Sequence, residues 1–389
     1  MKEQKIFIDG LALVEGHFSG VGQYILGILR GMDQLIEVAK YKGEVAPNIV
    51  VIIPRDTVEK FNSFHFKHIS YKKFPLSFRY MAALWHRGWL PPVDLWCGKG
   101  TYIFTRFVGM PLLFSNSALI IFDLSFELFR KYSDDRNAAF LTKFVPASVN
   151  KSKKIITISQ NARKEIVEFY KLPESKVVVA YPATDPGLFY RRSSKEIEKV
   201  KLKYDISGKY ILSLSNLEPR KNLVALVRAY CELPKRMRQQ YSLLLVGVSG
   251  WKTEGIIDEI ISKVKQGYNI IRPSEYVSDV DKPAIFSGAT LFVYPSHYEG
   301  FGMPPLEALA CGVPVISANN SSLPEAVGDA GKLIDIDSPG LLSKTIEDSL
   351  KSIETISFNA RTRGPEQADQ FSWKESAQVF LNVAKGIMK

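Results

Sequence analysis

The sequence predicts an α/β protein built from two doubly wound parallel sheets, and three observations carry that expectation. Short apolar runs of strand length alternate with helical or loop segments along the whole chain, a pattern that produces parallel strands covered by helices on both faces. A turn-rich stretch, Pro182-Ala183-Thr184-Asp185-Pro186-Gly187, and the charged run from Arg191 to Lys203 divide the alternation into two series. The residues richest in chemistry fall just beyond the carboxyl ends of predicted strands, where sheets of this kind bind ligands.

Taken in order, the strand-like runs of the first series are Lys5 to Ile8, Ile49 to Pro54, Leu119 to Asp123, Lys154 to Ser159 and Val177 to Ala180. Those of the second are Tyr210 to Leu214, Ser242 to Val246, Asn269 to Arg272, Thr290 to Tyr294, Pro314 to Ser317 and Lys332 to Ile336. The expected domains are residues 1–190 and 205–370. A terminal segment, 371–389, carries apolar residues at helical spacing in Trp373, Ala377, Phe380 and Val383.

At 389 residues with 46% hydrophobic residues, the chain is long enough for two sizeable cores. The apolar run after the charged start stops at Asp9, too short for a signal peptide, and no run approaches the roughly 20 apolar residues of a spanning helix. Cys97, Cys231 and Cys311 are few and widely separated, which argues against a disulfide framework or a structural zinc and fits a cytoplasmic location.

The net charge of +11 is concentrated in residues 1–200, with 29 Lys/Arg against 19 Asp/Glu. Between Lys60 and Trp96 the bases Lys60, Lys67, Lys72, Lys73, Arg79 and Arg87 meet a single acid, Asp94, and are interleaved with nine aromatic residues from Phe61 to Trp89. That mixture suits an anionic membrane surface, a lipid-linked acceptor or a single-stranded nucleic acid. The alternative is that the aromatics are core and the lysines solvate a surface. A nucleic-acid partner is set aside, because it leaves the two motifs described next without a role.

From Ser296 the chain reads Ser-His-Tyr-Glu-Gly-Phe-Gly-Met-Pro-Pro-Leu-Glu, placing Glu299 and Glu307 eight positions apart across a Gly/Pro-rich turn between a strand and a helix. Backbone N–H groups near Gly302 and Met303 at such a helix start favour a phosphate. Two carboxylates beside an anion site point to hydroxyls on the same ligand, as in a nucleotide sugar. The second motif follows the strand Tyr210 to Leu214 and reads Ser-Asn-Leu-Glu-Pro-Arg-Lys-Asn-Leu, with Arg220 and Lys221 adjacent. A planar guanidinium fork beside a mobile ammonium suits a diphosphate leaving group. Ordinary turns with solvated charges would also produce either motif alone.

These two motifs, with Ala310 to Ile316 and Ser322 to Gly328, resemble the donor-binding half of retaining family 4 glycosyltransferases of the GT-B fold. In the first half, Ser19-Gly20-Val21-Gly22, Phe122-Asp123-Leu124 and Thr157 to Ala162 resemble that family's glycine turn, its His-Asp-Leu and its last first-domain strand. The resemblance implies two Rossmann-like domains facing each other across a cleft, with the terminal segment crossing back to the first domain. It implies that Arg220 and Lys221 neutralise the donor diphosphate, that Glu307 accepts from the ribose hydroxyls and that Glu299 holds the transferred sugar. Gly20 and Gly22 would let backbone approach the diphosphate. Val277 and its neighbours Tyr276 and Ser278 would meet the base, Leu306 would line the donor site, and Asp123 would orient acceptor or sugar. Lys67, Lys72, Lys73 and Arg79 would face membrane or acceptor.

Phe122 departs from the family, since a phenyl ring cannot make the imidazole's hydrogen bond. Asp123 could equally cap the next turn. His65 with His68 lack a third ligand for a metal, and Asp279-x-Asp281 and Asp335-x-Asp337 mimic a metal pair of another fold. No metal or other cofactor is expected, because Arg220 and Lys221 supply the cationic charge. The function expected is a retaining, metal-independent transferase moving a hexose to a glycan or lipid-linked acceptor in cell-surface polysaccharide synthesis. Mannose from GDP-mannose is the first choice, by similarity to cell-surface polysaccharide mannosyltransferases. Rhamnose or glucose from dTDP- or UDP-sugars is the alternative, and a catalytically weak sugar-nucleotide sensor the rival from another class.

Overall fold

A computed structural model of the chain describes residues 5–14 and 20–388. Ser19, the first residue of the expected glycine turn, lies outside them. By compactness the chain divides into two units: 1–128, 135–182 and 372–389 in the first, and 129–134 with 183–371 in the second.

The first unit is a seven-stranded sheet of β1 (Lys5–Asp9), β2 (Asn48–Pro54), β3 (Ser70–Phe74), β4 (Thr101–Phe104), β5 (Asn116–Ile120), β6 (Lys154–Thr157) and β7 (Val177–Val179), in the order β3-β2-β1-β4-β5-β6-β7. Every pairing is parallel. Two of these strands are absent from the sequence reading. One is β3, whose Lys72 and Lys73 face solvent on the sheet's edge, where charged side chains discourage pairing with another chain. The other is β4, only four residues long. The run expected at Leu119 to Asp123 is instead a strand ending at Ile120, so Asp123 stands in the loop beyond it.

The helix Gly20–Tyr41 packs on the helix Trp373–Gly386, which returns from the far end of the chain to the first unit. Two glycines make room for it. A Cβ at Gly27 would stand 2.5 Å from the Trp373 ring, and one at Gly31 would stand 2.5 Å from the Trp373 carbonyl oxygen.

The second unit holds β8 (Lys209–Leu214), β9 (Tyr241–Val246), β10 (Ile270–Ile271), β11 (Leu291–Tyr294), β12 (Val315–Ala318) and β13 (Lys332–Ile334), in the parallel order β10-β9-β8-β11-β12-β13. Successive side chains point to opposite faces, and both faces are buried. Leu212, Leu214, Phe292, Tyr294 and Val315 enter one core, while Ile211, Leu243, Leu291, Val293 and Ile316 enter the other. Burial on both sides explains why these strands read as continuous apolar runs.

Residues 183–204, which the sequence reading divides between the first domain and a linker, pack with the second unit. The helix Ser194–Lys203 rests on the helix Lys282–Gly288, Arg192 donates its backbone N–H to Ser287 Oγ at 3.0 Å, and Lys203 pairs with Asp281 at 2.7 Å.

Strand order reverses between β8 and β11, its neighbour across the sheet. The crevice beyond the carboxyl ends of such a pair is where doubly wound sheets take ligands. The loops leaving β8 and β11 hold Arg220, Lys221 and Glu299.

Candidate functional site

The loop after β8 opens with Leu217, whose N–H donates to Val248 O at 2.9 Å and whose carbonyl accepts from Gly250 N at 3.0 Å. Pro219 then starts a single tight turn, and Asn222 adopts a left-handed conformation, φ 55°, before the helix Leu223–Glu232. This turn sends Glu218, Arg220 and Lys221 toward the loop after β11. The two loops are tied through backbone, with His297 N–H donating to Arg220 O at 2.8 Å and Ser296 Oγ to the same oxygen at 3.0 Å.

Four charges meet there. Lys221 Nζ contacts Glu299 Oε1 at 2.6 Å, Tyr294 Oη at 2.9 Å and Glu218 Oε1 at 3.7 Å. Arg220 uses one end of its fork on Tyr298 O at 2.8 Å and Glu299 Oε2 at 3.0 Å, and the other on Glu218 Oε1 at 2.9 Å. Tyr294 Oη and Ser296 Oγ also donate to Glu299 Oε1, at 3.0 and 2.7 Å. Burial alone pushes the Glu299 carboxyl up, but the charges of Arg220 and Lys221 and the bonds from Lys221 and Ser296 overcome it and hold the group at about 2. Glu299 is therefore an ionised, fully bonded hub. Burial and the neighbouring Arg220 charge pull Lys221 below its ordinary value, against the attraction of Glu299 and Glu218.

The Glu299 loop is backed from two sides. Glu299 N–H donates to Ser321 Oγ at 3.0 Å, and Ser322 Oγ donates to Glu299 O at 2.8 Å. On the other side, Phe129 stacks on Tyr298 at 4.5 Å and Tyr132 on His297 at 5.1 Å, with Trp251 Nε1 donating to Tyr132 O at 2.6 Å. These contacts explain why residues 129–134 belong to the second unit although the flanking chain belongs to the first. Burial pulls the His297 ring below its ordinary value, and the ring lies flat against the Tyr132 phenol.

Gly302 caps the helix Met303–Ala310 at φ 116°, and a Cβ there would meet Leu323 Cδ2 at 2.8 Å. Only glycine fits both demands. Met303 begins the helix, and Leu306 is wholly buried on it. Glu307 is on the same helix and only 8% exposed. Burial raises its carboxyl to about 7; Lys282 opposes the shift and Asp279 adds to it.

The remaining expected residues are placed as follows. Val277 is buried, Tyr276 is exposed, and Ser278 N–H already donates to Tyr204 Oη at 3.2 Å. Asp279 pairs with Lys282 at 2.5 Å, Asp281 with Lys203, and Asp335 accepts from Asp337 N–H and Ser338 Oγ. Gly20 and Gly22 do not form a turn after β1; Gly20 opens the helix Gly20–Tyr41 and Gly22 is buried in its first turn. Asp123 Oδ1 accepts from Ser125 N–H at 2.9 Å, the capping geometry left open above. Phe122 is 6% exposed and packs on Tyr24 and Phe107 at 5.4 and 5.5 Å, which gives its ring a place in the first unit's interior. Lys67, Lys72, Lys73 and Arg79 are all exposed; Lys67 pairs with Glu37 at 3.1 Å and Lys72 donates to Cys97 O at 3.2 Å.

Glu218, Tyr294, Ser296, Phe129 and Tyr132 were not singled out from the sequence as site residues. Tyr294 and Glu218 had a signal: a hydroxyl at the very end of an apolar strand, and an acid two positions before an Arg-Lys pair. The aromatic backing from Phe129 and Tyr132 had none, because it comes from a distant part of the chain.

Two parallel-sheet Rossmann-like units, the second with an Arg-Lys-Glu cluster at its switch point, make up the GT-B fold. Residues 194–363 match the family described as glycosyl transferases group 1. The chain is 36% identical over 266 residues to the O-antigen chain mannosyltransferase B of Escherichia coli, covering 68% of each protein. It is also 29% identical over 240 residues to the serotype-specific mannosyltransferase WbdA of Escherichia coli, across 60% of this chain and 29% of that longer protein. The chain belongs to the glycosyl transferases group 1 family. Among solved structures, it resembles Anabaena HepE in complex with UDP and glucose (TM-score 0.71, 15% identity, 98% of this chain and 100% of that one). It likewise resembles WaaG, a glycosyltransferase involved in lipopolysaccharide biosynthesis (TM-score 0.69, 15% identity, 98% and 99%).

Proposed function

We propose that the protein is a retaining transferase that moves a hexose, mannose from GDP-mannose before others, onto a glycan or lipid-linked acceptor during cell-surface polysaccharide synthesis. The observation that carries this reading is the Arg220–Lys221 pair held against Glu299 at the switch point of the second sheet. There the two cations would receive the donor's diphosphate, and Glu307 and Glu299 would take ribose and sugar hydroxyls. The acceptor hydroxyl would attack the anomeric carbon on the face from which the diphosphate leaves, passing its proton to a departing phosphate oxygen. Stabilising that leaving group is then the protein's main electrostatic task. Mannose is preferred because the relatives named mannosyltransferases are the more similar ones. The UDP and glucose bound to Anabaena HepE supply the second reading, a UDP-glucose donor.

A thermal-shift panel of GDP-mannose, UDP-glucose and dTDP-rhamnose tests the choice, since a donor at 100 times its dissociation constant raises stability by about 2.7 kcal/mol. Stabilisation by GDP-mannose together with transfer of radiolabelled mannose is the expected result; stabilisation by another donor alone replaces mannose. Binding of a donor with neither transfer nor hydrolysis would make the protein a sensor.

Because Arg220 and Lys221 would supply the cationic contacts to the leaving diphosphate, transfer is expected to persist in excess EDTA. Complete loss on chelation, reversed by magnesium or manganese, would overturn metal independence.

No helix among the described residues is long and apolar enough to cross a membrane. Contact with a lipid-linked acceptor then calls for a peripheral surface. The first unit has a candidate around Asp94, whose buried carboxylate accepts from the N–H groups of Leu113, Phe114 and Ser115 at 2.9 to 3.1 Å. Those bonds gather Leu95, Trp96, Leu113 and Phe114, all exposed, and Trp89 with the bases Lys73, Arg79, Arg87 and Lys99 is exposed in the same unit. Tryptophans amid bases suit the interface of an anionic bilayer. The double variant Trp89→Ser/Trp96→Ser is expected to lose sedimentation with phosphatidylglycerol vesicles while keeping donor binding. Undiminished sedimentation would remove this surface from the membrane reading.

A further inference from the structure

Arg220, Lys221, Glu218 and Glu299 bring two cations and two carboxylates together, all buried except the partly exposed Arg220. An anion arriving at Arg220 and Lys221 therefore meets two carboxylates as well as two cations. Glu299 has a clear place in that balance, because its two oxygens accept from Lys221, Tyr294, Ser296 and Arg220. Glu218 does not. Its Oε1 takes the second end of the Arg220 fork at 2.9 Å, but its Oε2 is buried with no hydrogen-bond partner, and the residue is 2% exposed. An unpartnered buried oxygen is costly to keep. The backbone pins it there regardless, through the bonds of Leu217 to Val248 and Gly250 on one side and the Pro219 turn on the other.

We propose that Glu218 is a positioning residue that weakens the hold of Arg220 and Lys221 on a diphosphate, so that the nucleoside diphosphate product can leave. The inference rests on the nucleotide-sugar reading above. With Glu218 neutral, Arg220 and Lys221 face one carboxylate fewer, and a diphosphate binds them more tightly. Tight binding of product does not speed the bond-breaking step and delays release. Glu218 also holds the guanidinium by the end that does not touch Glu299, so Arg220 keeps its place if Glu299 turns toward a sugar hydroxyl.

The test is isothermal titration of GDP, and of UDP and dTDP, into wild type and Glu218→Gln, with steady-state transfer measured alongside. Glutamine keeps the shape and removes the charge. The expected result is a nucleoside diphosphate Kd lowered about tenfold or more, the scale of one added charge several ångströms away at partial screening, with kcat reduced and kcat/KM less affected. A residue that only braces the loop gives the opposite sign, weaker binding together with slower turnover, and that outcome or an unchanged Kd overturns the proposal. Should Glu218→Gln fail to fold because it buries a net charge, the comparison moves to Arg220→Gln against Arg220→Gln/Glu218→Gln, whose charges balance again. Tighter GDP binding by the double variant than by Arg220→Gln supports the proposal, and equal or weaker binding overturns it. If wild type binds none of the three diphosphates, the nucleotide-sugar reading itself falls, and this inference with it.

Discussion

Lys221→Ala should lower transfer about 10²-fold or more, the scale of losing one preorganised donor at a developing charge, and should also destabilise the fold. The second effect follows from the company Lys221 keeps. Its ammonium sits 2.6 Å from Glu299 and 3.7 Å from Glu218, and both acids are buried. Removing one partner of a buried ion pair costs about 3–5 kcal/mol because the charge left behind has lost its counter-ion. Chemical denaturation measures that loss, and a transfer assay on the folded fraction measures the first. Arg220→Lys should also fail to restore turnover, because one ammonium cannot reach Tyr298 O, Glu299 Oε2 and Glu218 Oε1 as the guanidinium fork does. Near-wild-type transfer in Lys221→Ala and Arg220→Lys would remove both residues from the leaving-group role.

Glu307 should make stability fall as pH rises toward neutrality, against the usual behaviour of a carboxylate. Its carboxyl titrates near 7 in the folded protein and near 4.5 in the unfolded chain. Between those values the native state holds a proton that the unfolded state has lost. Its contribution is fully present below pH 4.5 and is lost as pH climbs through 7. A shift of this size corresponds to roughly 3 kcal/mol. Urea unfolding at pH 5 and pH 8 should therefore show a larger loss of stability in wild type than in Glu307→Gln, which cannot ionise. Equal pH slopes would mean that Glu307 ionises in the native state as it does in the unfolded chain. If Glu307 accepts from ribose hydroxyls, donor affinity should rise through the same window as the carboxylate forms. Glu299 has the opposite sign, adding stability above pH 4.5 that is lost only as pH falls toward 2.

Much of this architecture is legible in the amino-acid sequence. Eleven of the thirteen strands coincide with apolar runs in the chain, because strands buried on both faces leave an unbroken apolar signature. The loops bearing Arg220, Lys221 and Glu299 stand out because charge and glycine follow those runs. The misses have physical causes. Ser70–Phe74 carries lysines on an exposed edge and so looked like part of a basic patch. Thr101–Phe104 is too short to give a periodic signal. The cancellation of charge around Arg220 was hidden because one carboxylate comes from two positions away and the other from a different loop, and sequence distance does not report which oxygens share a cation. Phe122 looked like a lost catalytic contact because its place in the motif was visible, while its neighbours Tyr24 and Phe107, far away in the chain, were not.

The helix Trp373–Gly386 has a consequence for how the chain acquires its structure. It seats on Gly27 and Gly31, so the first unit's earliest long helix waits for a partner made more than 340 residues later. During synthesis the second unit, continuous from 183 to 371 apart from the short 129–134 segment, has nearly all of its residues before the first unit has its last helix. Contacts of such high sequence separation form late, and apolar surface left open meanwhile is prone to association. The face of the Gly20–Tyr41 helix carrying Gly27 and Gly31 is thus a surface that stays uncovered until the helix Trp373–Gly386 has been made.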